Sequence, residues 1–255
     1  MTGIEYVKSI DLRGTPRYAI LEMGPETETT SVFEDAKKQS QVVGSSLFSF
    51  APGVGANMRE AISDSALFAQ LVANKLVPAE DQPLEWFKAY STALENIGWT
   101  LQEKGWTDYT AEGTEVEVNK QVLAVMTVAL GPAPAALAIV TATITALGKM
   151  RPGSSWLTIF SRESQKAKIA RFQIGLVESN DSGDTFVSLI ACLIEADSLI
   201  TQALFFKWKN ANARFRANTA KVSLNVASLK DLGVAIRAKT RVYQHDYVSS
   251  VLDLL

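Results

Sequence analysis

The sequence predicts a single α/β domain with a largely antiparallel sheet covered by helices on both faces, and three observations predict it. The stretch 154–225 reads as four or five strands in succession. Within it, 168–178 and 185–195 are apolar and β-branched, and Asn180-Asp181-Ser182-Gly183 between them has the composition of a hairpin turn. In the second of these strands Phe186, Ser188, Ile190, Cys192 and Ile194 point to one face, and Val187, Leu189, Ala191 and Leu193 to the other. Both sets are mostly apolar, the pattern of a central strand covered on two sides. The flanking segments carry helical periodicity and supply those covers.

The elements follow in chain order. Residues 4–12 and 17–22, around Arg13-Gly14-Thr15-Pro16, read as short strands in an edge hairpin or N-terminal arm. The polar run 25–30 reads as a loop, 31–43 as a short helix, and 45–56, with Pro52, Gly53 and Gly55, as irregular chain. Pro52-Gly53-Val54-Gly55 lacks both the lysine–hydroxyl pair of a phosphate loop and the dinucleotide fingerprint, so it reads as a plain loop. Asn57 is placed to cap a helix over 58–77 ended by Pro78, with Ile62, Phe68, Leu71 and Val72 on its apolar face. Gln82-Pro83 opens a helix over 84–104 carrying Trp86, Phe87, Tyr90, Leu94 and Ile97, and a short strand is expected at 106–110.

From Gln121 to Gly148 there is no charged residue. Gly131-Pro132-Ala133-Pro134 divides this run into two apolar helices, 116–130 and 135–150. The run is rich in alanine and threonine, which favours a helical hairpin packed on the sheet over a resident membrane span; such a segment can also lie on a bilayer after rearrangement. After the hairpin come the two strands already described, further strands over 199–209 and 213–225 broken by Asn210-Ala211-Asn212, and one or two helices over 227–254 that soften at Gly233. No repeat or linker divides the chain.

Composition narrows function mainly by exclusion. With 255 residues, 47% hydrophobic and 20% charged, the chain is an ordinary globular sequence long enough for a substantial core. A net charge of −2 gives no general affinity for nucleic acid. Lys207, Lys209, Arg214, Arg216 and Lys221, followed by Arg237, Lys239 and Arg241, fit either a solvated sheet edge or a patch for anionic lipid headgroups. One cysteine excludes an intrachain disulfide, and one histidine with one cysteine cannot make the usual zinc sites, so no metal is expected. The first residues show neither a Sec-type signal nor a myristoylation glycine, which predicts either membrane association or release by lysis or a leaderless route. No nucleophile elbow, kinase loop set or phosphate loop is present, and Cys192 in an apolar strand makes a poor partner for His245. The expectation is therefore a protein that is not an enzyme.

Several segments together resemble the cytolytic delta-endotoxin (Cyt) family of insecticidal proteins. They are Ser65-Ala66-Leu67-Phe68-Ala69-Gln70-Leu71-Val72 and the residues up to Pro78, Asn119-Lys120-Gln121-Val122-Leu123, Trp156-Leu157-Thr158-Ile159-Phe160-Ser161-Arg162-Glu163, the strand around Cys192, and Leu204-Phe205-Phe206. The match spans about residues 57–226, a toxin-like core preceded by the arm 1–56. The arrangement is also similar to the Erwinia virulence factor (Evf) family. That resemblance implies a bacterial α/β protein carrying a fatty acyl thioester on a late cysteine, and Cys192 is the one residue here that can take that role. A palmitate-like chain on an inward strand residue needs a cavity, because packed cores hold no spare volume. The small residues Ala124, Ala129, Ala133, Ala135, Ala136, Ala138, Ala142 and Ala146, with Ile190 and Ile194 beside Cys192, are the candidates to line it or to contact a membrane. The alternative is that Cys192 is a small core hydrophobe.

The function expected from these observations is a virulence or toxin-like protein that associates with lipid membranes, through an acylated Cys192, the apolar helices, or both. The alternative is a cytolysin that rearranges, assembles as a homo-oligomer and forms pores.

Overall fold

The computed structural model describes residues 2–16, 32–109, 116–208 and 213–254. The expected strand 17–22 and the whole of the loop 25–30 therefore lie outside the described residues. The architecture is one mixed, mostly antiparallel sheet with a helical layer on each face, as the sequence predicts.

The sheet is built from β1 (Gln39–Val43), β2 (Ser46–Phe50), β3 (Trp99–Tyr109), β5 (Gln165–Lys166), β6 (Ile169–Ser179), β7 (Thr185–Ala196), β9 (Ala213–Leu224) and β10 (Leu252–Asp253). Its order is β10-β1-β2-β6-β7-β9-β3, with β5 paired to the free side of β6's start. All pairs are antiparallel except β2 with β6, which is parallel. A separate ribbon joins β4 (Val116–Glu117) to β8 (Lys207–Trp208). The β6–β7 hairpin and β9 fall within one or two residues of their expected bounds.

One face is covered by α1 (Gly3–Ser9), α2 (Ala56–Leu76), α3 (Pro83–Asn96) and α7 (Val226–Thr240). The opposite face is covered by α4 (Val118–Leu130), α5 (Pro134–Lys149) and α6 (Ser155–Ser164). A short helix, α8 (Gln244–Tyr247), leads to β10. The two faces close two separate cores. Val187, Leu189 and Leu193 of β7 belong to the first, and Ile190, Cys192 and Ile194 to the second, so the strand is central and covered on both sides.

Several expectations are corrected. The strand expected over 4–12 is instead mostly helix, α1 (Gly3–Ser9), because Thr2 and Glu5 make a reciprocal capping box that the apolar residues obscure. The predicted helix over 31–43 and irregular run over 45–56 contain instead the hairpin β1–β2, whose residues are all buried. That hairpin turns at Gly44, with φ of +55°, where a Cβ would lie 2.1 Å from the Gln70 amide. Part of the arm 1–56 thus sits inside the sheet. The helix expected over 84–104 stops at Asn96, because Gly98 adopts a φ of +98° and β3 begins at Trp99. Asn57 is not a cap; Gly55 occupies that position without a side-chain bond. Within the expected strand 199–209 the described residues form a 3₁₀ turn, Ala203–Phe205, and the two-residue β8, which pairs with the equally short β4 and not with the main sheet; Lys209 lies outside the described residues. Gly233 stays buried within α7, where Leu229, Leu232 and Ile236 keep the helix packed through it.

Candidate functional site

The features singled out in the sequence meet on the second face of the sheet. β7 places Cys192 between Phe172 of β6 and Ala217 of β9 in one cross-strand row, with Ile190 and Ile194 on either side along the strand. All five are buried. Helix α4 crosses β7 and β9, while α5 lies over β2 and β6, so α4 is the cover above Cys192. The thiol is 0% exposed, and burial pushes its pKa well above the ordinary value. It is therefore protonated and inert in the packed state. His245 carries a side chain that is 68% exposed, and no hydrogen bond joins it to the enclosed thiol. The Cys192–His245 pair is not assembled.

The helical hairpin forms because α4 and α5 each bury one apolar stripe. Val122, Val125 and Met126 of α4 and Ala136, Ile139, Val140, Ile144 and Leu147 of α5 turn inward. Gly131, with φ of +67°, ends α4, and Pro134 opens α5. Between Lys120 and Lys149, which are exposed at its two ends, the outward side is also uncharged. Ala124, Thr127, Val128, Ala135, Ala138 and Thr145 are exposed, and Val128 reaches 73%. Ala129 and Ala142 are half-buried. Ala124, Ala135 and Ala138 thus face away from Cys192.

Few polar contacts hold this hairpin down. Among the described residues, the one side-chain hydrogen bond from 118–149 to the sheet joins Thr143 Oγ1 and Ser49 Oγ at 2.8 Å. The threonines Thr127 and Thr141 bond back to carbonyls of their own helices. At the base of α4, Glu117 pairs with Lys207 at 2.9 Å and with Lys120 at 3.3 Å, and these cations hold its carboxyl below the usual range. A cleft of about 370 Å³ opens beneath the α4–α5 turn, lined by Leu130, Ala133, Glu178, Phe186, Ser188 and Lys221 among others. Burial raises the pKa of Glu178 there. Cys192 does not line that cleft.

Three of the basic residues noted in the sequence are engaged in ion pairs. Arg214 binds Asp108 at 2.6 Å, Arg216 binds Glu195 at 2.8 Å, and Lys207 is the partner of Glu117. Lys209 lies outside the described residues. Among the described residues no group of histidine, cysteine and carboxylate side chains is placed to hold a metal ion.

Comparison with known proteins follows the same lines. No family model matches the chain. No curated protein matches it either. Solved structures do: a delta-endotoxin at 14% identity and TM-score 0.40, covering 85% of this chain and 91% of that one. The Evf virulence factor matches at 12% identity and TM-score 0.35, covering 97% of this chain and 91% of that one. The activated Cyt2Ba monomer from Bacillus thuringiensis subsp. israelensis matches at 15% identity and TM-score 0.37, covering 70% of this chain and 96% of that one. These are structures of the two families that the sequence resembles.

Neither apolar helix is a membrane span. α4 has 13 residues and α5 has 16, and among the described residues no helix is long and apolar enough to cross a membrane. At 1.5 Å per residue they extend about 20 and 24 Å, short of the roughly 30 Å hydrocarbon core.

Proposed function

We propose that this protein is a toxin-like or virulence-type protein, not an enzyme, that associates with lipid membranes through the α4–α5 hairpin. One observation carries this reading. Between its two end lysines, Lys120 and Lys149, the hairpin is apolar toward the sheet and uncharged toward solvent, so its body can exchange one apolar surface for another while the two ammonium groups stay at the water-facing ends. Its length suits lying in the headgroup boundary rather than crossing the bilayer. The exposed residues Ala124, Val128, Ala135 and Ala138 make first contact, and lifting α4 brings Val122, Val125 and Met126 into the same apolar environment.

Liposome flotation tests the proposal. The protein floats with phosphatidylcholine vesicles, and a Val128→Glu, Ala138→Glu double variant stays at the bottom of the gradient while melting within a few degrees of the parent. A double variant that floats as well as the parent contradicts the proposal. Retention of an entrapped dye during binding fits an anchored factor. Release of the dye moves the reading to the alternative, a pore-forming cytolysin.

A second reading has its own observation. The single cysteine of the chain lies on the strand that this helix crosses, in the core that α4 helps to close. A fatty acyl thioester on Cys192 would add a membrane anchor worth about 0.8 kcal/mol per buried methylene. Because the packed thiol is enclosed and protonated, acylation has to occur before α4 packs or while it is raised. Intact-mass spectrometry before and after neutral hydroxylamine decides it. An excess of one acyl group that hydroxylamine removes supports the thioester, and an unmodified mass in the native host preparation contradicts it.

A further inference from the structure

The face of the sheet turned away from Cys192 holds a second cleft, of about 270 Å³, between α3 and the sheet. Its floor is set by register. Gln173, Ala191, Asn218 and Trp106 stand side by side on β6, β7, β9 and β3, and Gly175, Leu189, Ala220 and Glu103 form the next row. Ala191 and Ala220 leave the middle of the floor low. The ladder between Glu103 and Trp106 is shifted by a bulge at Gly105, whose N–H donates to Asn218 Oδ1 at 3.0 Å. That bulge puts Glu103 and Trp106 on the same side of β3, at the mouth. Helix α3 supplies the opposite wall through Phe87, Tyr90 and Ser91, and the Phe87 and Trp106 rings lie 5.0 Å apart.

The polar groups of this cleft are incompletely used. Gln173 is 1% exposed, and its Oε1 accepts from Ser46 Oγ at 2.9 Å and Ser45 Oγ at 3.1 Å. Its Nε2 is buried without a partner among the described residues. A buried donor left unmet is costly and is satisfied by a ligand acceptor. Glu103 accepts from Ser91 Oγ and from Asn218 Nδ2, both at 2.9 Å, and no cation pairs with it among the described residues. Each of its oxygens keeps a second acceptor site.

These groups discriminate between ligand classes. An anion meets the carboxylates Glu103 and Glu95 against the single ammonium of Lys88 and is disfavoured. An ammonium satisfies the carboxylates but leaves Gln173 Nε2 unmet. Gln173 and Glu103 stand at opposite ends of the floor, three strands apart, so a ligand with hydroxyls around a ring suits them: one hydroxyl accepts toward Gln173 and another donates to Glu103, while an apolar C–H face packs on Trp106 and Phe87. The volume sits near the lower limit of about 300–1,000 Å³ for small-molecule pockets, which suits one ring and not a lipid tail. We propose that this cleft is a binding site for a neutral pyranose, such as the terminal sugar of a glycan. The proposal is independent of the membrane reading, since it concerns the opposite face.

Saturation-transfer difference NMR on the full chain tests it, with glucose, galactose, mannose, N-acetylgalactosamine and, as cationic probe, tetramethylammonium. At least one sugar gives saturable transfer at millimolar concentration, strongest at its ring C–H protons. Glu103→Gln and Trp106→Leu each weaken that binding by about ten-fold or more, the size expected for one polar contact or one aromatic wall. Glu103 is exposed, so its variant remains a folded control if Trp106→Leu is not. The proposal is overturned if no sugar binds the folded protein, if tetramethylammonium binds where the sugars do not, or if Glu103→Gln binds as the parent does.

Discussion

On one face of the sheet α3 turns Glu85, Lys88 and Glu95 to solvent, and α7 turns Lys230 and Asp231. On the other, α4 and α5 present Ala124, Val128, Ala135 and Ala138. Their anchoring differs in the same sense. In the first layer α2 lies against the sheet beneath α3 and α7 and is buried throughout 62–73. Arg59, 0% exposed, donates from Nε to Val54 O at 2.8 Å, from Nη1 to Gln39 Oε1 at 2.8 Å, and from Nη2 to Ala51 O and Lys37 O at 3.0 Å. Gln70 binds Ser45 on one side and Glu163 of α6 on the other. Trp86 Nε1 donates to Asn74 Oδ1 across α2 and α3 at 2.7 Å. Among the described residues, the α4–α5 hairpin is joined to the sheet by the Ser49–Thr143 bond and has ion pairs at its base. Hydrophobic burial is non-directional, whereas buried hydrogen bonds require one partner in one geometry. The first layer is therefore specified in place, and the α4–α5 hairpin is held mainly by a force that a lipid surface also provides.

This comparison can be broken at several points. The largest effect is expected at Arg59. Arg59→Met removes donors to several buried acceptors at once and lowers stability by about 3–5 kcal/mol, read by urea denaturation. Loss within the range of an ordinary surface substitution would contradict the anchoring role of the first layer. Thr143→Val removes the bond to Ser49 while keeping shape, and costs about 1 kcal/mol. It also increases vesicle binding if the bond restrains the hairpin, and unchanged flotation would argue that it does not.

A smaller effect concerns pH. The carboxyl of Glu178, under the α4–α5 turn, has a pKa raised by burial above its unfolded value. The folded state binds the proton more tightly, so the stabilisation is fully present below the unfolded pKa and is lost as pH rises through the folded one. Glu178→Gln abolishes this fall on the alkaline side of the unfolded carboxylate pKa, measured as the difference in melting temperature between parent and variant across pH. Glu117 acts oppositely, because its pKa is lowered by Lys207 and Lys120. The clip it makes at the base of α4 is present above the unfolded pKa and is lost as pH falls through the folded one. That pair is exposed to salt, and adding salt weakens it.

What the sequence made legible follows from how local each signal is. The β6–β7 hairpin was readable because turn residues and two-faced apolar strands sit next to each other in the chain. The burial of Cys192 followed from the same alternation, and the hairpin of α4 and α5 from an uncharged run divided by Gly131 and the prolines. β1 and β2 were not readable. Gln39, Ser40, Ser45, Ser46 and Ser49 are polar, yet all are buried, and Ser45 and Ser46 are satisfied by Gln70 and Gln173 from distant elements. The end of α3 was hidden because Tyr90, Leu94, Ile97 and Leu101 keep helical spacing across Gly98. The cleft of Gln173, Asn218, Trp106 and Glu103 had no sequence signal at all. It exists only once four strands are in register and a bulge has placed two β3 side chains together.

The most direct test of the account is a lock on the hairpin. Ser49 and Thr143, whose hydroxyls touch across α5 and β2, are replaced by cysteines in a Cys192→Ala background and oxidised. The account predicts that the oxidised protein remains folded and no longer floats with phosphatidylcholine vesicles, and that reduction restores flotation. A locked protein that binds vesicles as well as the reduced one would contradict the claim that α4 and α5 leave the sheet to meet the membrane.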